Sequence, residues 1–475
     1  MSMTEKPPAV AAAPRHGRSL RTVTQYAIAG AGLIAALVLG FLVHTPTIWG
    51  LLPIVLYAVL SLCGMNLLLA TVISLLSGVV LAQRPPTDVG ILLGSALGDT
   101  VTVIGVICLL GSGLGEVLRQ TGAADLLVRG VMRVVRRDSQ LAIQLGVMMS
   151  CLLLVFALGT LAGALAIAAP ILIPITARAG FTRSATASMM FLGGCAGLVL
   201  APFAGSNIAI LDASGVGYGT YVLVAAGPLA LLSLLLSMVV VPRVQRRSAL
   251  GGDDFYEDEL TGADEQVPGP HTVRATWAFS VVLVVSVAYA TLSKGGTAFP
   301  LLALPVMAVV TAAAGGLSVR DTIDALCRGA GRMVETFLLF WILAAFFQVV
   351  NELKPYDVLL DWFGPQLHDL PVLSFAVAVA LLGWLGVPGA TAAHVVLLNK
   401  VFGPLGTSIG LTPAMWAVTY LWGSKADTYG PFPNPNMMSA LGFAEATRLR
   451  TLLSVGWQVL IPAAVMYGLI LTLLV

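Results

Sequence analysis

The sequence predicts an all-α polytopic membrane protein built from two inverted-topology repeats, with broken or re-entrant helices at the membrane midplane. Of the 475 residues, 58% are hydrophobic and only 10% are charged, whereas soluble domains carry about 25% charged residues. Apolar runs of transmembrane length follow one another along most of the chain. The two halves also resemble each other around interruptions that are rich in proline, glycine and asparagine.

The composition limits the function as well as the fold. The formal net charge is only +2, so we expect no nucleic acid as a partner. The expected partner of the apolar helices is the lipid bilayer. The five cysteines stand alone, without a metal-binding spacing, which predicts no metal and no cofactor. Because the chain carries no HExxH or nucleotide-binding motif, we predict that it is not an enzyme.

The N-terminal segment is basic and rich in proline and alanine, and residues 1–24 are predicted to form a cytoplasmic tail. The apolar run that follows has no small-residue cleavage site, so residues 25–45 are predicted to be an extra first transmembrane helix. Most of the 25 lysines and arginines then fall on the cytoplasmic side of the predicted topology. We therefore expect a multi-pass protein of the cell (inner or plasma) membrane with a cytoplasmic N-terminus.

Two transmembrane repeats are predicted, over residues 46–242 and 274–475. Each contains seven apolar runs, and this odd number makes the halves enter the membrane from opposite sides. One or two runs could be re-entrant hairpins instead of full crossings. The runs lie at 47–64, 66–83, 98–118, 141–158, 160–178, 184–212 and 219–241, and at 275–292, 298–316, 333–352, 371–386, 388–405, 412–438 and 452–474.

A hydrophilic segment, residues 243–273, separates the two repeats. It begins with arginines and packs seven acidic residues into 253–265, which predicts an acidic cytoplasmic linker. Three short amphipathic stretches, at 120–137, 318–331 and 355–368, are predicted to lie at the membrane interface.

Local similarity supports the internal repeat. Residues 182–207 read TRSATASMMFLGGCAGLVLAPFAGSN, and residues 412–436 read TPAMWAVTYLWGSKADTYGPFPNPN. When the two segments are aligned with one residue of the first left out, Pro, Phe and Asn occur in the same order in both segments. Just upstream, LGTLAGALA at 158–166 matches LGVPGATAA at 385–393. Chance similarity between two apolar stretches is the alternative interpretation.

Each repeat contains a stretch that should unwind, APFAGSN at 201–207 and GSKADTYGPFPNPN at 423–436. Non-helical backbone in lipid leaves polar groups unpaired at a cost of several kcal/mol each, so it persists only around a cavity or a ligand. We therefore expect the substrate site between the two stretches. The predicted substrate-binding residues are Pro202, Gly205, Ser206, Asn207, Ser424, Lys425, Thr428, Asn434 and Asn436.

Lys425 is the most informative of these residues. It lies 13 residues past Thr412, about 20 Å along a helix, which places its charge deep in the bilayer. Its predicted role is to bind a substrate carboxylate, with Asp427 tuning it or carrying the coupling ion. A Lys–Asp pair that only neutralises itself is the alternative, although residues two apart do not face each other on a regular helix. His394 is a second coupling-ion candidate, or else a packed core residue.

Residues 91–137 form a glycine-rich helix and an amphipathic Leu/Arg segment around Thr121-Gly122-Ala123-Ala124, and they resemble gluconate-permease-like transporters. The paired broken segments resemble the ion transporter superfamily, which includes gluconate, citrate, dicarboxylate and short-chain fatty-acid carriers and sodium/proton antiporters. The resemblance implies that an asparagine at each broken tip, here Asn207 and Asn436, helps to form the substrate and cation sites. The Ser-Asn-Thr pair of the dicarboxylate carriers is replaced by Gly-Ser-Asn-Ile and Asn-Pro-Asn-Met.

These observations predict a secondary active transporter of a small organic anion, a carboxylate or sugar acid, coupled to H+ or Na+ and working by alternating access. The alternative is a cation/proton antiporter of the same fold, with Asp427 as the ion-binding carboxylate. Lys425 favours the anion carrier, because a cation site gains nothing from a neighbouring ammonium group. The resemblance and the large apolar surface are compatible with a homodimer.

Overall fold

The first half of the chain is a series of apolar helices joined by short turns. The computed structural model describes residues 20–134, 139–250, 254–256, 269–292, 298–355, 357–358, 362, 371–384 and 391–475, and these residues contain no strand. A 3-10 turn precedes α2, and a π-helical turn, Val222–Ala226, joins α11 to α12. The helices are α1 (Leu20–Leu42), α2 (Leu52–Leu62), α3 (Leu67–Leu81), α4 (Pro86–Ala96), α5 (Thr100–Gln120), α6 (Ala123–Val134), α7 (Gln140–Leu158), α8 (Leu161–Arg178), α9 (Arg183–Leu200), α10 (Gly205–Ser214), α11 (Tyr218–Tyr221) and α12 (Gly227–Ala249).

The second half continues in the same way. Its helices are α13 (Pro270–Leu292), α14 (Ala298–Ala314), α15 (Val319–Gly331), α16 (Val334–Glu352), α17 (Val372–Trp384), α18 (Thr391–Ile409), α19 (Pro413–Tyr429), α20 (Pro435–Phe443) and α21 (Leu449–Leu474).

The all-α polytopic class is confirmed. Within the described residues, nine helical segments are long and apolar enough to cross a membrane. Each predicted apolar run falls on one or more of the helices, and the amphipathic stretches at 120–137 and 318–331 become α6 and α15. The stretch 355–368 and the N-terminal tail lie mostly outside the described residues, as do 251–253 and 257–268 of the predicted linker. Helix α12 continues into that linker as far as Ala249, and α13 begins within it at Pro270. Helix α4 was not predicted from the sequence.

The two interrupted helices run for similar lengths before they break, 18 residues in α9 and 17 in α19. Helix α9 ends at Leu200, as expected, but α10 already begins at Gly205, so only 201–204 of the predicted stretch 201–207 is unwound. Helix α19, in contrast, stays helical to Tyr429, and only 430–434 separates it from α20. The prediction that unwinding begins at residue 423 is therefore wrong. The reason is local, because the first proline of this stretch is Pro431 and the backbone N–H groups before it remain available for helical bonds.

Corresponding elements of the two halves pack in the same way. Helices α9 and α19 both begin after a threonine cap, Thr182 accepting from Ala185 N–H at 3.2 Å and Thr412 from Met415 N–H at 3.3 Å. Helix α10 packs against α18 and α19, and α20 packs against α8 and α9. Each half therefore places the short helix after its break against the other half. The inverted orientation of the two repeats stays a prediction.

A short part of the linker is docked on the helical body. The Asp254 carbonyl accepts from Arg183 N–H at 2.7 Å, and its carboxylate accepts from Ser184 N–H at 3.2 Å, which caps the start of α9. The Tyr256 hydroxyl donates to the carbonyl of Ala444, at the end of α20, at 3.0 Å. The Arg183 guanidinium lies 5.6 Å from the centre of the Tyr256 ring. The segment 254–256 thus ties α9 of the first half to α20 of the second half.

We expect Asp254→Ala to release this segment, because the substitution removes the carboxylate that caps α9. Hydrogen–deuterium exchange of a peptide covering the start of α9 should become several-fold faster in the variant. Asp324→Ala, on the exposed face of α15, is the matched control and should leave that exchange unchanged. Equal exchange in wild type and Asp254→Ala would show that the capping contact does not hold the segment.

Candidate functional site

The break between α9 and α10 leaves the last carbonyl groups of α9 without helical partners. Three side chains from beyond the break donate hydrogen bonds to these carbonyls. The Asn207 amide donates to the carbonyls of Leu198, Val199 and Ala201 at 2.8, 2.9 and 2.8 Å. The hydroxyls of Tyr218 and Tyr221 donate to the carbonyls of Leu200 and Val199 at 2.6 and 2.9 Å. The break is therefore a hydrogen-bonded structure in its own right.

Lys425 reaches this break from the other half of the chain. It is 1% exposed and lies twelve residues into α19, about 18 Å from the start of that helix. Its ammonium group donates to Ser206 Oγ and to Asn207 Oδ1, both at 3.0 Å. Because both acceptors are neutral, these two hydrogen bonds do not neutralise the ammonium group, and its nearby counter-charge is the Asp427 carboxylate, which attracts it electrostatically.

The N-terminal end of α10 adds to the positive potential at the same place. Ser206 and Asn207 lie in the first turn of α10, where unpaired N–H groups carry a partial positive charge. The backbone N–H groups of Gly205 and Ser206 have no acceptor among the described residues. A buried ammonium group and the positive end of a helix thus meet at one point, which is a favourable position for an anion.

Asp427 uses a different partner from Lys425, as their spacing on a regular helix requires. Its carboxylate accepts a hydrogen bond of 2.7 Å from Thr391 Oγ1, at the start of α18. His394 lies three residues further along α18, so it shares a helix face with Thr391. It is 7% exposed, and its Nε2 has no hydrogen-bond partner among the described residues. Asp427 and Thr391 therefore form a second polar group near Lys425, and His394 lies one turn along α18 from Thr391.

The other predicted site residues lie around the two breaks, with more local contacts. Pro202 is buried within the first break, and a Cβ atom on Gly205 would lie 2.8 Å from Cys108 Sγ, so this glycine permits close packing on α5. The Asn434 side chain caps α20, its Oδ1 accepting from Met437 N–H at 2.9 Å. The Ser424 hydroxyl donates to the Leu421 carbonyl, within its own helix. The buried Thr428 hydroxyl has no hydrogen-bond partner among the described residues. Asn436 is half-buried in the first turn of α20.

Two helical hairpins place their tips at these sites. Helix α7 ends at Gly159, whose φ is +68°, and a Cβ atom there would lie 3.1 Å from Ala204 N in the first break. The tip of the α7–α8 hairpin therefore lies at the depth of that break. In the second half α17 and α18 form the corresponding hairpin, and Thr391 at the start of α18 contacts Asp427. The matching segment 385–390 lies outside the described residues.

The sequence profile of the C4-dicarboxylate anaerobic carriers, DcuC, matches residues 34–471. The chain belongs to this family. It is therefore a membrane carrier of organic anions and not an enzyme. The family match favours anion transport over cation/proton antiport, and the likeness to gluconate permeases remains a resemblance. No curated protein matches the chain.

Solved transporter structures share the fold. The YdaH transporter of Alcanivorax borkumensis is 17% identical, with a TM-score of 0.54, and the match covers 95% of this chain and 98% of that one. MtrF of Neisseria gonorrhoeae, described as one of a class of antimetabolite efflux pumps, is 13% identical with a TM-score of 0.50, over 81% of this chain and 83% of that one. At this level of identity both likenesses concern the fold alone.

Sequence reasoning missed the two tyrosines that complete the first break. Tyr218 and Tyr221 lie in the motif Tyr-Gly-Thr-Tyr, beyond the end of α10. The available signal is a pair of hydroxyl-bearing aromatic residues shortly after a proline-containing interruption. Such residues can reach back to unpaired carbonyls, but nothing in the spacing says that they do.

We expect Tyr221→Phe to destabilise the protein, because it removes one of the two donors to the Val199 carbonyl, and a buried hydrogen bond contributes about 0.5–1.5 kcal/mol. The thermal unfolding midpoint of the purified protein in detergent should fall by a few degrees. Tyr289→Phe is a suitable control, since Tyr289 is 55% exposed and its hydroxyl should contribute little. Equal midpoints for the two variants would contradict a structural role for the Tyr221 hydroxyl.

Proposed function

We propose that this protein is a secondary active transporter of a small C4-dicarboxylate or a related organic anion, coupled to H+ or Na+ and working by alternating access. The observation that carries the proposal is the buried ammonium group of Lys425 at the N-terminal end of α10. The family to which the chain belongs, the C4-dicarboxylate anaerobic carriers, supports the choice of substrate.

The physical argument concerns the charge at this point. A cation in the low-dielectric interior is costly, and a carboxylate lowers that cost while it gains charge-assisted hydrogen bonds. Ser206 and Asn207 hold the ammonium group in place of the substrate. Both are neutral acceptors, so a carboxylate can displace one of them and retain the other. One carboxylate of the substrate would then neutralise the charge of the ammonium group.

A coupling ion would use the second polar group. Asp427 accepts from Thr391, and a carboxylate in this position can bind a proton or, with neighbouring oxygens, a sodium ion. His394, one turn further along α18, is the second proton acceptor that we propose. Asp427 lies two residues from Lys425 on the same helix, so substrate and ion would load against the same helix, α19.

The reciprocal packing of the halves supports alternating access. Helix α10 of the first half lies against α18 and α19, while α20 of the second half lies against α8 and α9. A rocking motion of one half against the other would therefore move both breaks together. Lys425 joins the two sides of that contact, so substrate binding at Lys425 would alter the interaction that holds them.

The antiporter alternative explains less of this site. Asp427 could bind a cation in either mechanism, but Lys425 would repel that cation. An anionic substrate gives the charge of the ammonium group a role in transport, in addition to its contact with Ser206 and Asn207.

We expect Lys425→Gln to reduce uptake of radiolabelled succinate into proteoliposomes by about two orders of magnitude, because it removes a buried charge from the substrate contact. Ser206→Asp should also abolish uptake, since the new carboxylate would bind the ammonium group of Lys425 in place of the substrate. Lys354→Gln is the matched control, because Lys354 is exposed beyond the end of α16. Succinate uptake at the wild-type rate in folded Lys425→Gln protein would refute the assigned role of Lys425.

We expect Asp427→Asn to uncouple transport from its ion gradient. The variant should still exchange external for internal succinate, but should no longer accumulate it when a proton or sodium gradient is imposed. Parallel assays with each gradient on wild-type protein identify the coupling ion. If Asp427→Asn accumulates succinate as wild type does, the ion-binding group lies elsewhere, and His394→Gln becomes the variant to measure.

A further inference from the structure

A second polar site lies at the opposite end of the transport helices from the docked linker. An open cavity of about 600 Å³ lies where the ends of α10, α16 and α18 meet the start of α19. The linker contacts Arg183 at the start of α9, whereas the cavity is lined by Ser214 at the end of α10. The cavity therefore faces the other side of the membrane, which the predicted topology makes the outer side.

The polar groups of this cavity are mainly hydrogen-bond donors. Lys400 supplies an ammonium group, and Asn351 and Asn399 supply side-chain amides. Asn399 Oδ1 already accepts a hydrogen bond of 2.9 Å from the Tyr420 hydroxyl, which leaves its NH₂ group to donate. The remaining walls include apolar groups such as Trp416. A cation and two amides in a cavity of this size, within the range of small-molecule sites, suit a carboxylate ligand.

We propose that this cavity is a second carboxylate-binding site, an entry site that holds the anion before it reaches Lys425. The inference rests on the proposed function of the Lys425 site and extends it. Helix α18 connects the two places, because Thr391 contacts Asp427 near the first site and Lys400 lines the second. Nine residues separate Thr391 from Lys400, about 13 Å along the helix.

Charge supports an entry role. Lys400 and Lys425 form two successive positive positions, and a positive position on the path of an anion raises its local concentration. The exposed carboxylate of Asp212 interacts electrostatically with Lys400. Because Asp212 is exposed, its attraction is screened, and an incoming dicarboxylate can replace it as the counter-ion of Lys400.

The test separates the entry site from the Lys425 site by measuring binding without transport. Trp416 lines the cavity and stacks on Tyr420 with ring centres 4.7 Å apart, so its fluorescence reports on occupancy. In Lys425→Gln protein, titration with succinate should still give a saturable fluorescence change. A second substitution, Trp416→Phe, should remove this change. Adding Lys400→Gln to Lys425→Gln should raise the dissociation constant for succinate by about tenfold or more, as expected for loss of a charge-assisted contact, while adding Lys400→Arg instead should retain binding.

Transport assays provide the second readout. In an otherwise wild-type protein, Lys400→Gln should raise the KM for succinate uptake about tenfold with little change in kcat, and Lys354→Gln should change neither. The proposal is overturned if Lys400→Gln alters neither succinate binding nor KM, or if Lys425→Gln alone abolishes the Trp416 signal. Absence of any uptake by wild-type protein would instead count against the proposed function, since the fluorescence titration tests the cavity independently.

Discussion

The placement of one ammonium group inside an apolar helical body constrains much of the rest of the structure. Lys425 is buried and donates to two neutral oxygens of the other half of the chain. Those oxygens are present only because α10 begins at Gly205, and α10 begins there only because α9 ends at Leu200. The broken helix and the contact between the halves therefore act together to accommodate one buried ammonium group.

The break that provides this environment is stabilised without a ligand. Asn207 has two functions at once, because its amide nitrogen satisfies carbonyls at the end of α9 and its amide oxygen accepts from Lys425. Tyr218 and Tyr221 satisfy carbonyls of the same helix end. A substrate that displaces the oxygen of Asn207 from Lys425 need not disturb the hydrogen bonds of its nitrogen. The site can thus change occupancy while the backbone around it keeps its shape.

The two ends of the transport helices have different chemistry. At one end, the acidic linker segment around Asp254 caps α9 and contacts the end of α20. At the other end, Lys400 and its neighbouring amides line a cavity that favours anions. The described groups at the two ends therefore differ, with a capping carboxylate at one end and an ammonium group with two amides at the other.

The sequence alone determined the class of the protein, because composition and the length of apolar runs leave no alternative to a helical membrane protein. It also identified Lys425, since a charge deep in an apolar run is improbable without a function. Only the tertiary structure decided that Lys425 contacts Ser206 and Asn207, more than two hundred residues away, while Asp427 contacts Thr391. Partners on distant helices leave no local pattern. Proline positions likewise suggested the breaks, but hydrogen bonding within α19 set where the second one begins.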